Sequence, residues 1–246
     1  MWIFQHLPKV GGTSVTTALR NVFGTGNMYS FQGLYPNDHH RFFVQHDMSV
    51  ELVTGHVNFG FHQATKKPCR YVTIMREPVQ RVISQWYTQY WWRLNSVHTH
   101  EGVHDFEEFV SGTKTVIGNN LITRMISGWP NDINKTFATL TGSCTGAMYK
   151  RAVANINQWY DFVGFQMTMQ ASFDRMLQVM GRDPGVQVPM QNTTKDNVRT
   201  EKAPLPENAE KLAMEHNQYD LALYYYCWER FDGKGRDENS DDGDRN

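Results

Sequence analysis

The sequence predicts an α/β fold in which helices are layered on a central, mostly parallel sheet, and three observations carry that prediction. Apolar, strand-like runs alternate with helical patterns along most of the chain. The first fourteen residues join a strand to a helix through a glycine turn that contains a lysine. The run Arg70-Tyr71-Val72-Thr73-Ile74-Met75-Arg76 is β-branched and apolar enough for a strand buried on both faces. At 246 residues the chain is long enough for one such domain with its own core and short for two.

Each element follows from local chemistry. Trp2-Ile3-Phe4-Gln5-His6 reads as the first strand, and Leu7-Pro8-Lys9-Val10-Gly11-Gly12 as the turn after it. Thr13 to Phe23 reads as a helix: Val15, Ala18, Leu19 and Val22 recur at helical spacing, and a hydroxyl at Thr13 or Ser14 stands near the cap. Gly24-Thr25-Gly26 stops it. A loop-rich stretch then holds a candidate strand at Arg41 to Gln45, a short segment from Ser49 to Leu52 and a turn at Thr54-Gly55-His56. After the central strand, Pro78 suits the first turn of a helix running to about Trp92. Trp86, Tyr87, Tyr90, Trp91 and Trp92 make its second half aromatic, and at helical spacing they read as core packing.

Further helices are expected at Asp105 to Val110, Asn119 to Ser127 and Thr145 to Gln158. Asp161 to Phe165 reads as a short strand, and Met167 to Met180 as a helix closed by Gly181. A polar loop from Pro189 to Pro206 leads to a last helix, or a broken pair, from Glu207 to about Arg230. No internal repeat occurs. We expect one domain over residues 1–231 and an acidic disordered tail over 232–246, a stretch with no apolar residue to bury. The tail carries six acids and three bases, a net of −3, so a whole-chain charge of −1 leaves the body near +2. That is no field for a nucleic-acid partner, and a polyanion site has to be a local groove.

Cys69, Cys144 and Cys227 show no metal spacing and allow at most one disulfide. Asn134-Lys135-Thr136 and Asn192-Thr193-Thr194 are glycosylation sequons that matter only in a secretory lumen. No apolar run approaches the ~20 residues that span a bilayer. The first strand begins at Trp2 and leaves no room for a signal peptide. The expected location is therefore the Golgi lumen if this is a domain of a membrane-anchored protein, and the cytoplasm if the chain is complete as given.

The opening turn has the makings of a phosphate cradle. Backbone N–H groups at a helix N-terminus point outward, the helix dipole favours negative charge, glycines permit close approach, and Lys9 adds a full positive charge. In the nucleoside triphosphatase loop the lysine follows the glycines; here it precedes them. Pro8-Lys9-Val10-Gly11-Gly12-Thr13-Ser14 resembles instead the 5′-phosphosulfate loop of sulfotransferases that use 3′-phosphoadenosine 5′-phosphosulfate (PAPS), particularly the Golgi branch that acts on glycans. Val10 departs from that pattern, which usually has a hydroxyl there.

A second segment resembles the same family. Arg76-Glu77-Pro78-Val79-Gln80-Arg81-Val82-Ile83-Ser84 matches R-[DE]-P-x-x-R-x-x-S at the end of a buried strand and into the next helix. Arg76 leaves the strand at the edge where open α/β sheets bind ligands, and its planar fork suits a terminal phosphate. Ser84, two turns into the helix, adds a hydroxyl. The resemblance implies that these two positions hold the 3′-phosphate of PAPS, the group that ATP lacks.

Sulfuryl transfer needs charge stabilisation on the leaving bisphosphate and a base for the acceptor hydroxyl. Lys9 with Gly11, Gly12, Thr13 and Ser14 suits the first task, and a histidine the second. His56, in Thr54-Gly55-His56-Val57, resembles the Gly-His-Val segment that carries the base in heparan sulfate 2-O-sulfotransferase and its relatives. His62 is its nearest rival. His39 and His40 read as a pair in a solvated loop, and His98, His100 and His104 lack a nearby acid cluster that would make them a metal site.

Gln191 to Lys202 resembles the late loop that closes over the nucleotide, with Lys195 and Arg199 as candidate anion contacts; a plain solvated loop is the other reading. Together the likenesses imply a PAPS-dependent transferase with a P-loop-like, three-layer fold, a carbohydrate acceptor and no metal. In keeping with that, the central strand ends in Arg76, where a kinase would place a magnesium-binding acid. Two other readings stay open: a small-molecule kinase on the same fold, and a noncatalytic nucleotide- or glycan-binding module.

Overall fold

A computed structural model describes residues 1–31, 50–94, 105–129, 141–190 and 204–232. The candidate strand at Arg41 to Gln45, His39, His40, His98, His100, His104, the loop with Lys195 and Arg199, and residues 233–246 lie outside the described residues. Five strands form one all-parallel sheet: β1 (Trp2–Gln5), β2 (Met28–Phe31), β3 (Leu52–Gly55), β4 (Arg70–Met75) and β5 (Tyr160–Phe165), in the order β2-β3-β1-β4-β5. β1 is central because it pairs with β3 on one side and β4 on the other; Gln5 lies opposite both Gly55 and Thr73.

Eight helices accompany these strands among the described residues: α1 (Gly12–Phe23), α2 (Pro78–Leu94), α3 (Phe106–Ser111), α4 (Leu121–Ser127), α5 (Gly146–Trp159), α6 (Met169–Val179), α7 (Ala209–His216) and α8 (Gln218–Phe231). Period-two alternation on the strands sorts the core into two layers. Ile3, Val53, Tyr71, Met75 and Val163 face α2 to α5, α7 and α8. Phe4, Leu52, Val72, Ile74 and Phe162 face α1 and α6. The result is the three-layer architecture expected from the sequence, with the aromatic half of α2 serving as core: Trp86 is buried against Phe106 and Phe109, at ring-centroid distances of 5.7 and 5.4 Å.

Three local expectations are corrected. β2 falls where a loop was expected; among the described residues it is a four-residue edge strand that pairs with β3 alone, so neither length nor a long apolar run signals it. β3 continues through Thr54 and Gly55 because they pair with Phe4 and Gln5, and the glycine that reads as a turn is a strand end. α1 begins at Gly12, not Thr13, because Gly11 in the left-handed conformation (φ 85°) is its cap and no side chain caps it; the two hydroxyls lie inside the first turn. The last segment is indeed a broken pair, split at Asn217, whose amide donates to Gly118 and Ala213 carbonyls.

Candidate active site at the carboxyl edge of the sheet

The sheet register brings the chemistry to one edge. β1, β3 and β4 end side by side, and the residues immediately beyond them are His6, His56 and Arg76. Open parallel sheets bind ligands outside the carboxyl ends of their strands. The edge is braced from below by Gln5, which is fully buried: its amide donates to the Val57 carbonyl at 2.9 Å, and Tyr160 Oη donates to its side-chain oxygen at 2.5 Å. Thr73 Oγ1 donates to the Gln5 carbonyl at 2.7 Å, tying β4 to β1 just short of the edge.

From this edge the chain turns into α1 through an unusual loop. Lys9 and Gly11 both have left-handed backbones, at φ 67° and 85°. For a non-glycine residue that conformation costs roughly 1–2 kcal/mol, and such strain concentrates at functional sites. Val10, between them, is fully buried in the core with Leu7 and Ile3. Its side chain thus contributes packing in place of the hydroxyl usual at this position. The first-turn N–H groups of a helix have no intrahelical acceptor, and α1 has neither a side-chain cap nor an acidic residue in its first turn. It presents an electropositive end.

The two cation-bearing motifs meet here. Arg76 Nη1 donates to the Lys9 carbonyl at 3.3 Å, while Lys9 Nζ donates to Thr88 Oγ1 on α2 at 2.8 Å. Thr88 Oγ1 in turn donates to the carbonyl of Ser84 at 3.1 Å, so Lys9, Arg76 and the half-buried Ser84 belong to one connected cluster. Arg76 Nε is buried without a hydrogen-bond partner. Burial lowers the Arg76 pKa, and the nearby charge of Glu77 opposes that shift. Glu77 does not pair with the guanidinium: its carboxylate accepts from the N–H groups of Val79 and Gln80 at 3.0 and 2.8 Å and so caps α2. Arg81, the second arginine of the motif, is fully buried and donates both terminal nitrogens to the Ile117 carbonyl, which makes it a structural residue.

His56 sits beside this cluster and pairs with His6. Its Nδ1 is 2.6 Å from the His6 carbonyl, and the two rings lie 4.2 Å apart at 33°. A carbonyl can only accept, so neutral His56 carries its proton on Nδ1 and keeps the lone pair on Nε2. Burial lowers the His56 pKa below 6.5, the charge of Lys9 adds to that, and the bond to His6 opposes it. His6 is pushed down to about 3 by burial first and by His56 second. Both imidazoles are therefore neutral near pH 7.

The rival His62 is elsewhere. Its Nδ1 contacts Tyr71 Oη at 3.0 Å, and its ring stacks on Trp159 at 4.1 Å. Tyr71 stands near the amino end of β4, about 13 Å of strand from the edge at ~3.3 Å per residue.

Sequence reasoning missed His6 and Thr88. Thr88 lies one helical turn after Ser84, a spacing that signals a shared face. His6 reads only as a strand end until the register sets it opposite His56. Gly12 also has a packing constraint that its sequence does not show. A Cβ there would lie 1.9 Å from Cδ2 of His6, so the position is kept empty for the His6 ring as well as for any ligand. Gly12→Ala is expected to lower stability by about 1–3 kcal/mol through overpacking, read as a fall in the thermal midpoint.

A sulfotransferase family model matches residues 2–227, spanning all five strands and both cation-bearing motifs. The chain belongs to the sulfotransferase family. A search of curated proteins returns no match. Family membership gives the chain a reaction class, sulfuryl transfer to an acceptor, and the all-parallel sheet agrees with the fold of these transferases. No described helix of this sulfotransferase is long and apolar enough to cross a membrane.

Stability of this sulfotransferase should depend on pH through His6. Its folded pKa, about 3, lies below the ordinary 6.5, so the unfolded chain binds more protons between those values and acid favours unfolding. His6 contributes full stability above pH 6.5 and up to about 1.4 kcal/mol less for each pH unit below it. The thermal midpoint should fall more steeply between pH 6.5 and 4 in the wild type than in His6→Asn.

Proposed function

We propose that this sulfotransferase takes PAPS as donor and a hydroxyl of a carbohydrate, a glycan or glycosaminoglycan-like chain, as acceptor. The reading rests above all on the junction of the two motifs, where the Arg76 guanidinium bonds the Lys9 carbonyl and the Lys9 ammonium reaches α2. A donor with phosphates at both 5′ and 3′ positions needs two separate anion contacts. Suiting that need are the electropositive end of α1 for one and, for the other, Arg76 with its unpartnered Nε, linked through Lys9 and Thr88 to Ser84. PAPS supplies an activated sulfonate on a phosphate leaving group.

The chain's own groups divide the remaining work. His56 accepts the proton of the acceptor hydroxyl at Nε2, a role for which its Nδ1–H tautomer prepares it. Lys9 and the first turn of α1 oppose the negative charge that gathers on the leaving oxygen as the S–O bond to phosphate breaks and the S–O bond to the acceptor forms. Arg76 and Ser84 hold the 3′-phosphate, and Lys195 and Arg199 are candidates for further anion contacts. The carbohydrate part of the reading leans on the likeness of Gly55-His56-Val57 to glycan sulfotransferases of the heparan sulfate 2-O type, whose Golgi setting this protein would share if the chain is a domain of a membrane-anchored protein.

Two experiments test it. Calorimetry should find 3′-phosphoadenosine 5′-phosphate bound more tightly than ATP; the reverse order, with magnesium-dependent ATP turnover, would favour a kinase. Radiolabelled sulfate transfer should then be measured on acceptors covering uronic acid, hexosamine, galactose and non-glycan alcohols. Tight nucleotide binding with no transfer to any of them would indicate a binding module.

A further inference from the structure

We propose that His6 is the positioning residue of this site: its ring is the spacer that sets His56 against the start of α1, and its carbonyl holds His56 in the base-ready tautomer. The inference rests on the reading of His56 as the base. Its grounds are geometric. The His6 ring occupies the volume a side chain at Gly12 would need, with Cδ2 and Nε2 1.9 and 2.0 Å from that Cβ position. On its other side the ring packs against His56 at 4.2 Å, and it stacks over Phe4 at 6.2 Å. One imidazole therefore separates Gly12, the first residue of α1, from the base, with Phe4, fully buried in the α1 face of the sheet, behind it.

The backbone completes the clamp. His6 N–H donates to the Gly55 carbonyl at 2.9 Å, and the His6 carbonyl accepts from His56 Nδ1 at 2.6 Å, so both backbone groups of residue 6 are tied to the end of β3, at residues 55 and 56. Among the described residues, the charge that acts on His56 is that of Lys9, the His6 carbonyl acts on it as a hydrogen-bond acceptor, and the His6 imidazole itself feels His56. A ring that excludes water on this side keeps His56 neutral. Reacting groups misplaced by about 1 Å lose roughly 100-fold in rate, which is what a lost spacer permits.

The test compares His6→Ala, His6→Gln and His56→Ala with the wild type. For His6→Ala we expect kcat to fall about 10- to 100-fold, with KM for PAPS and affinity for 3′-phosphoadenosine 5′-phosphate near wild type. The acid limb of its rate profile should move up toward pH 6.5, because water reaches His56. His6→Gln, similar in volume but without the ring, should shift both readouts in the same direction and stands in if the alanine variant does not fold.

In the wild type at neutral pH, nitrogen NMR should show the proton of His56 on Nδ1, the resonance being assigned by its loss in His56→Ala. Unchanged kcat and acid limb in both His6 variants, with His56→Ala inactive, overturns the spacer and leaves the base intact. A fall in thermal midpoint alone does the same. A wild-type His56 protonated on Nε2 overturns the role of the carbonyl, and near-normal transfer by His56→Ala overturns the underlying reading itself.

Discussion

Replacing His56 by alanine is expected to lower sulfuryl transfer by about 10²- to 10⁴-fold, the usual worth of a general base, while nucleotide affinity stays unchanged. The separation of effects follows from the geometry. His56 lies beyond β3 and bonds the backbone of His6, whereas the cationic contacts run through Lys9, Arg76 and Thr88. Its lowered pKa sets the pH dependence: below that value His56 is protonated and cannot accept a proton, so kcat/KM rises with pH through a limb lying under pH 6.5 and then levels. The alanine variant should lose that limb. Transfer at near-normal rate with the limb retained would remove His56 from the role.

Arg76→Ala should weaken binding of 3′-phosphoadenosine 5′-phosphate by about 10- to 100-fold, since one charge-assisted hydrogen bond contributes roughly 1.5–3 kcal/mol. The guanidinium is held in place by one bond to the Lys9 carbonyl, its Nε has no partner, and Glu77 is committed to capping α2. Its charge is thus not neutralised by a bonded carboxylate among the described residues. Arg76→Lys should recover only part of the loss, because a point charge lacks the planar fork that grips a phosphate with two parallel N–H bonds. ATP binding, measured alongside, should change much less, as ATP has no 3′-phosphate. Equal losses for both nucleotides would place Arg76 on a shared phosphate, and an unchanged affinity for 3′-phosphoadenosine 5′-phosphate would remove it from the site.

Much of this site is legible in the chain because its parts are local. Lys9 precedes two glycines and a helix, and Arg76-Glu77-Pro78 ends a buried strand; each motif sets its own backbone, through a left-handed turn in one case and a Glu77 cap followed by proline in the other. What escaped were features whose signals are not local. β2 is recognised by its pairing with β3, not by its own four residues. Thr88 matters because the ammonium of a residue on another element reaches it. His6 matters because residue 56 lies across from it.

By itself, the sequence determined the layered α/β class, the order of its elements and the two cation-bearing motifs, since periodicity, capping and turn chemistry act over a few residues. Only the tertiary structure decided which histidine stands at the cradle, why Val10 lacks a hydroxyl and what Gly12 makes room for. His56 and His62 are six positions apart, and as text only the Gly-His-Val likeness favours the first. The parallel register of β1 and β3 places one beside His6 at the carboxyl edge, and the return of the chain along the sheet leaves the other against Tyr71 and Trp159. Val10 turns into the core between two left-handed residues, and Gly12 leaves space for a ring six residues back in the chain, because packing brings together groups that chain order keeps apart.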